Sequence, residues 1–152
     1  MKLTVEIDPG AAEEIIIRAK EVTPRIKRLQ DAISRELSGA EELAVKSGDT
    51  ECFLPFSRLL FAECSEDKVW VHTASDVYLC PLRLRELEEM LPRTFARASK
   101  SVIVNTAHVR SLSRSPTGVG EAGFSGCEKK VFISRMYYKS LRDVIERTRL
   151  AK

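Results

Sequence analysis

Along the first stretch, LTVEID (3–8) alternates so that Leu3, Val5 and Ile7 share one face, which predicts a strand stopped by Asp8-Pro9-Gly10. The β-branched run IIIRA (15–19) predicts a second strand. Thr23 then reads as an N-cap with Pro24 at the first helical position. Ile26, Leu29, Ile33 and Leu37 follow at helical spacing, and Gly39 reads as the stop. Residues 1–45 are therefore expected to form a small β-β-α extension, with residues 46–152 as the main domain.

From residue 43 the period changes to two. LAVKSGDTECFLPF carries a Ser47-Gly48-Asp49 turn between two runs, a hairpin signal. LLFAEC (59–64), VWVHT (69–73) and VYLCPL (77–82) predict three further strands joined by the polar turns SEDK and Ala74-Ser75-Asp76. In the middle one, Val69, Val71 and Thr73 oppose Trp70 and His72. LRLRELEEML (82–91) predicts a short helix with Leu84, Leu87 and Leu91 in one stripe, ended by Pro92. A strand at 102–105, a Gly-, Ser- and Pro-rich loop at 113–123 and a strand at 129–135 come next. A closing helix is expected over 136–149, with Tyr137, Leu141, Ile145 and Thr148 as its stripe. The pattern is that of a mainly β fold with a few short helices.

Composition adds limits. The 152 residues suffice for a real core without staples. No apolar run is long enough to span a bilayer, and MKLTVEIDPG has no apolar core of a signal peptide, so a cytoplasmic location is expected. Cys52, Cys64, Cys80 and Cys127 are scattered, with no paired spacing for zinc, and no cofactor is implied. Catalytic readings find no support. His72 and His108 read as packed or surface residues, and no nucleophile motif is present. GVGEAG (118–123) lacks the Lys-Ser/Thr and the strand–helix context of a phosphate loop.

Charge is uneven. Residues 1–96 hold 13 Lys and Arg against 18 Asp and Glu, whereas residues 97–152 hold 12 against 4. A last third this basic points to a polyanion. Within it, Arg97, Ser99, Lys100 and Ser101 crowd into RASKS, directly before Val102-Ile103-Val104 and Asn105. Ser134-Arg135, with Lys139 one turn on, ends the next long strand in the same chemical style. Short hydroxyl side chains and amides in a tight turn can approach phosphates, and Lys or Arg can reach base edges.

These residues resemble a known family. FARASKSVIVN (95–105) is similar to the most characteristic motif of the LytTR DNA-binding domain, close to F-x-R-x-H-R-S-x-x-V-N. VFISRMYYKSL (131–141) resembles its second signature, an apolar strand followed by S-R-x-Y-x-x-L. LPFSRLLFAEC resembles its I-x-Y-I-E strand, and LRELEEMLP its short helix. The likeness covers residues 46–149. Where the family often has His-Arg before the Ser, this chain has Ser99-Lys100, so the rigid bidentate contact of an Arg is replaced by a point charge. The S-K-S version and the N-terminal strand and T-P helix resemble short members that lack a phosphorylation receiver.

The resemblance implies elongated, stacked β-sheets whose loops enter the DNA major groove, with promoter sites arranged as direct repeats. Carried over by position, Lys100 and Arg135 would read bases or grip phosphates, and Arg97, Ser99, Ser101, Tyr137 and Lys139 would support them. Asn105, counted with the DNA-binding set, would fix the turn after the strand, and Lys68 would serve a third loop. Double-stranded DNA is the implied partner. An edge strand at 3–8 could pair two protomers into a homodimer. The alternative is a protein-interaction module held by a small membrane-protein inhibitor, which the resemblance also implies for short members, with DNA contact weak or lost.

Overall fold

The computed structural model describes residues 2–12, 14–38 and 42–150. The chain divides into two compact units, Met1–Ala40 and Glu41–Lys152.

In the first unit the expected helix forms as α1 (Pro24–Ser38). The Thr23 hydroxyl accepts from the Ile26 N–H at 3.2 Å, so Thr23 is the N-cap. Gly39 and the side chain of Leu37 lie outside the described residues. The two expected strands are a correction: residues 3–8 and 15–19 have no strand pairing. Alternation predicts which face a strand would bury, but a strand exists only when a neighbour takes its backbone groups, and here none does. Leu3 and Ile7 are each 91% exposed.

The described residues of the second unit hold ten strands, two α-helices and two short 3-10 turns. A seven-stranded antiparallel sheet is built from β1 (Glu42–Ser47), β2 (Thr50–Pro55), β3 (Phe61–Ser65), β4 (Lys68–His72), β5 (Val77–Cys80), β6 (Phe95–Ser99) and β7 (Val102–Asn105). Its spatial order is β2-β1-β5-β4-β3-β7-β6. A three-stranded sheet, ordered β10-β9-β8, comprises β8 (Val109–Arg114), β9 (Gly120–Phe124) and β10 (Lys130–Ile133). Helix α2 (Leu84–Met90) follows β5, and α3 (Arg135–Leu150) follows β10.

The large sheet is apolar on both faces at its middle, because β3 and β7 alternate between two cores. Ala62 and Ile103 join Val69, Val71, Leu84 and Leu87 in one, under α2. Phe61 and Val104 join Phe124, Ile133, Tyr138 and Leu141 in the other, against the small sheet and α3. The run Val102-Ile103-Val104 is thus the spine between two layers, as its uninterrupted hydrophobicity suggests.

Two sequence expectations shift. The loop expected at 113–123 is mostly the β8–β9 hairpin, with its connection at residues 115–119. Its glycines look loop-like but serve packing. A Cβ on Gly120 would lie 2.5 Å from the Tyr138 ring, and one on Gly123 would lie 2.5 Å from the Ser111 hydroxyl. The apolar stripe of α3 begins at Tyr138 rather than Tyr137: Tyr138, Leu141 and Ile145 are buried, while Tyr137 is half-buried. Steps of three and four from Tyr138 keep the stripe on one line.

Candidate nucleic-acid interface

Arg97, Ala98 and Ser99 belong to a strand, β6, rather than to a turn, and only Lys100 and Ser101 form the two-residue connection to β7. The ladder shifts register between Arg97 and Ser99, a bulge that twists the strand end. The Ser101 N–H donates to the Ser99 hydroxyl at 3.2 Å, which holds the tip closed. Arg97 does the rest. Its Nη1 donates to the Lys100 carbonyl at 2.6 Å, and its Nε donates to Glu88 Oε2 of α2 at 2.5 Å. The Lys100 side chain is left exposed at the tip of a clamped hairpin.

Arg135 is fixed by a different device. The Ser134 N–H donates to the Ala98 carbonyl at 2.9 Å, tying the end of β10 to β6. The Ser134 carbonyl in turn accepts from the Tyr137 and Tyr138 N–H groups, opening α3. Arg135 is exposed and stands at this strand-to-helix corner. Its stem lies over Gly118, where an added Cβ would come within 2.9 Å of Arg135 Cδ. Lys139 is exposed one turn further on, and Tyr137 shares a shallow groove with Lys100, Arg97, Arg85 and Glu88.

Lys68 closes the β3–β4 hairpin opposite Ser65. The two connecting residues, Glu66 and Asp67, have φ of 53° and 62°, the left-handed region a two-residue hairpin of this twist requires. The Cys64 N–H donates to the Ser101 carbonyl at 2.8 Å, so this turn abuts the Lys100 turn.

Two main-chain hydrogen bonds therefore link the three turns into a row: residues 65–68 beside 99–101, and 99–101 beside 134–135. Adjacent strands lie about 4.8 Å apart, so four steps, from β4 through β3, β7 and β6 to β10, place Lys68 and Arg135 on the order of 20 Å from one another. All three cations are exposed on that edge. The row is not purely positive, since Glu66 and Asp67 are exposed beside Lys68.

Asn105 is a correction to the expected contact set. It is 3% exposed, donates from Nδ2 to the Leu59 carbonyl at 2.9 Å and accepts from the Ala107 N–H at 3.1 Å. It fixes the turn after β7, as expected, but it is too buried to meet a ligand. Arg97 is likewise committed to the clamp. Sequence reasoning missed two other cations. Arg85 lines the groove beside Lys100. Arg114 stacks 4.7 Å over the Tyr138 ring and reaches the Gly118 carbonyl, next to Arg135. Its place at the head of the Gly-, Ser- and Pro-rich segment hid it.

The histidines sit away from this edge. His72 stacks on Phe61 at 4.1 Å, bonds Glu63 through Nε2 at 2.9 Å, and faces Lys129 through Nδ1 at 3.4 Å. Burial holds its pKa below 6.5, against the pull of Glu63. Burial likewise pushes the Cys80 thiol up. Among the described residues no group of acidic, His or Cys side chains is arranged to hold a metal. No helix there is long and apolar enough to cross a membrane.

A model of the LytTr DNA-binding domain family matches residues 49–146. An uncharacterized HTH-type transcriptional regulator of Staphylococcus aureus is 26% identical over 144 residues, covering 94% of this chain and 97% of the relative. The CO-responsive transcriptional regulator RcoM of Rhodospirillum rubrum is 33% identical over 99 residues, 64% of this chain and 42% of that protein. Among solved structures, the LytTr DNA-binding domain of a Bacillus cereus methyl-accepting/DNA response regulator matches with a TM-score of 0.65 at 23% identity, over 70% of this chain and 98% of that domain. The likeness to that domain is one of fold. The helix-turn-helix in the name of the S. aureus relative has no counterpart among the described residues, where no two helices are consecutive.

Proposed function

The chain belongs to the LytTr DNA-binding domain family, and on that premise we propose that it regulates transcription by reading specific promoter sequences with the row of turns at 65–68, 99–101 and 134–135. The observation that carries this reading is the pair of main-chain bonds, Cys64 to Ser101 and Ser134 to Ala98, that lock three cation-bearing turns side by side. A ridge on the order of 20 Å long can lie along a major groove, about 12 Å across.

In this reading Lys100 and Arg135 reach base edges or phosphates. Ser99, Ser101, Tyr137 and Lys139 add backbone contacts, and Lys68 meets the duplex at the end of the row. Arg97 acts through its grip on the Lys100 carbonyl, and Asn105 through the scaffold. Arg135 can make the forked contact to guanine, while Lys100 offers a point charge. The target is double-stranded DNA in the cytoplasm, with protomers on neighbouring direct repeats. The binding step needs no cofactor and no catalysis. The second reading, a module held by a small membrane protein, is favoured only by the exposed apolar residues of the N-terminal unit.

Selection of bound sequences from a random duplex pool tests the proposal. An enriched motif repeated head to tail is the expected outcome. A pool that stays random, or retention that tracks charge alone, removes the claim of sequence-specific reading.

A further inference from the structure

The first unit presents a problem of its own. Among the described residues 2–38 none is buried. Leu3, Val5 and Ile7 are 91%, 77% and 91% exposed, and Ile15, Ile16 and Val22 are 60%, 60% and 77% exposed. A unit of this size whose described residues are at most half-buried cannot hold a fold alone, and single exposed apolar residues are ordinary whereas a contiguous set marks an interaction surface. The strand expected at 3–8 has its alternation and lacks only a neighbour.

We propose that residues 2–8 pair antiparallel with the same segment of a second copy of this chain, about a two-fold axis at Val5. The sequence is self-complementary in that register. Lys2 falls opposite the partner's Asp8, Leu3 opposite the partner's Ile7, Thr4 opposite the partner's Glu6, and Val5 opposite itself. Leu3, Val5 and Ile7 from both copies then share one face, and the charged ends attract. The partner's Glu6 lies diagonal to Lys2, so each lysine meets two carboxylates. Other registers do worse. A shift of two residues one way sets Glu6 against Glu6 and frees Lys2, while the opposite shift leaves Asp8 without a partner. A two-stranded ribbon needs a cover for its apolar face, and the same unit has one at hand in Ile15, Ile16 and Ile17 and in the Ile26, Leu29 and Ile33 stripe of α1.

Charge argues against a lipid surface as the occupant. Residues 2–17 carry Glu6, Asp8, Glu13 and Glu14 against Lys2 alone, which disfavours an anionic bilayer. The pairing does not depend on the DNA reading, because residues 2–8 lie outside the part that matches the family, 49–146.

Sedimentation velocity on the full-length protein tests the proposal. Wild type is expected to be a dimer at micromolar concentration and Val5→Lys a monomer. Lys2→Glu is expected to weaken the dimer about tenfold, because both end pairs turn repulsive, and Lys2→Glu with Asp8→Lys restores it. Under oxidation, Val5→Cys in a Cys64→Ser background forms a covalent dimer, and Thr4→Cys, which is self-paired only in a shifted register, does not. A monomeric wild type overturns the pairing, as does a Val5→Lys variant as dimeric as wild type. A charge-swapped double variant no better than Lys2→Glu, or protein that stays monomeric and sediments with anionic phospholipid vesicles, overturns it too. Val5→Lys keeps its affinity for a single isolated repeat, so loss of the dimer and loss of DNA binding are read separately.

Discussion

At the scale of residues, cations of similar appearance divide into those that build the edge and those free to use it. Arg97 is turned inward, holding Glu88 and the Lys100 carbonyl, whereas Lys100 and Arg135 are exposed. The motif FARASKS shows where charge concentrates but not this division, because only the bulge between Arg97 and Ser99 decides which side chain faces which way. Asn105 illustrates the same limit. Its place beside the motif suggested a contact, and its burial makes it a support. Asn105→Ala is expected to cost about 1–3 kcal/mol in urea unfolding, since it abandons a buried carbonyl and a part-buried N–H. The affinity of the folded fraction for DNA should stay unchanged; a selective loss of affinity at wild-type stability would make Asn105 a contact after all. Glu66 and Asp67 are the opposite case, acids in left-handed conformations beside Lys68. The double substitution Glu66→Asn with Asp67→Gly relieves up to about 1 kcal/mol of backbone cost. It also takes two carboxylates off the edge, so both the unfolding midpoint and low-salt DNA affinity should rise.

At the scale of elements, the period-two runs of the main domain were legible because each strand there found partners whose faces matched its own. β3, β4, β5 and β7 fall close to their expected positions, and Val69 and Val71 oppose Trp70 and His72 as read. The β8–β9 hairpin was not legible, since glycines accommodate the Tyr138 ring and Ser111 without leaving any hydrophobic signature. Gly120→Ala, whose methyl would meet that ring, is expected to destabilise the protein by about 1–3 kcal/mol in thermal or urea melts. No change there would mean that α3 does not seat its first turn on β9. The other element-scale test is pH. His72 on β4 has a folded pKa below 6.5 because burial disfavours its charged form. The unfolded chain therefore takes up the proton first as pH falls, so stability is full above about 6.5 and declines below it, levelling off under the folded pKa. The drop in urea midpoint between about pH 7.5 and about pH 5 should shrink in His72→Gln; an equal drop in both proteins would remove His72 as its source.

At the scale of the molecule, two β layers and a pair of cross-strand bonds bring three separate stretches of sequence to one edge of the main domain. Sequence motifs identified those stretches, while their adjacency is a property of strand order, in which β3 neighbours β7 and the end of β10 meets β6. The helix of the first unit was legible, whereas its two expected strands were misread for the complementary reason that, among the described residues, they find no partner within one chain. The claim on which the function rests is that the exposed cations of this single edge, rather than the protein's charge in general, bind DNA. Titration of a selected duplex across a range of salt concentrations, comparing wild type with Lys100→Ala, Arg135→Ala and Arg58→Ala, tests it most directly. Arg58 is likewise an exposed cation, in the turn before β3, at the far end of that strand. Arg135→Ala should cost about 1–3 kcal/mol, Lys100→Ala should lower the salt slope by about one, and Arg58→Ala should match wild type. Equal losses in all three variants, or none in the first two, would contradict the account.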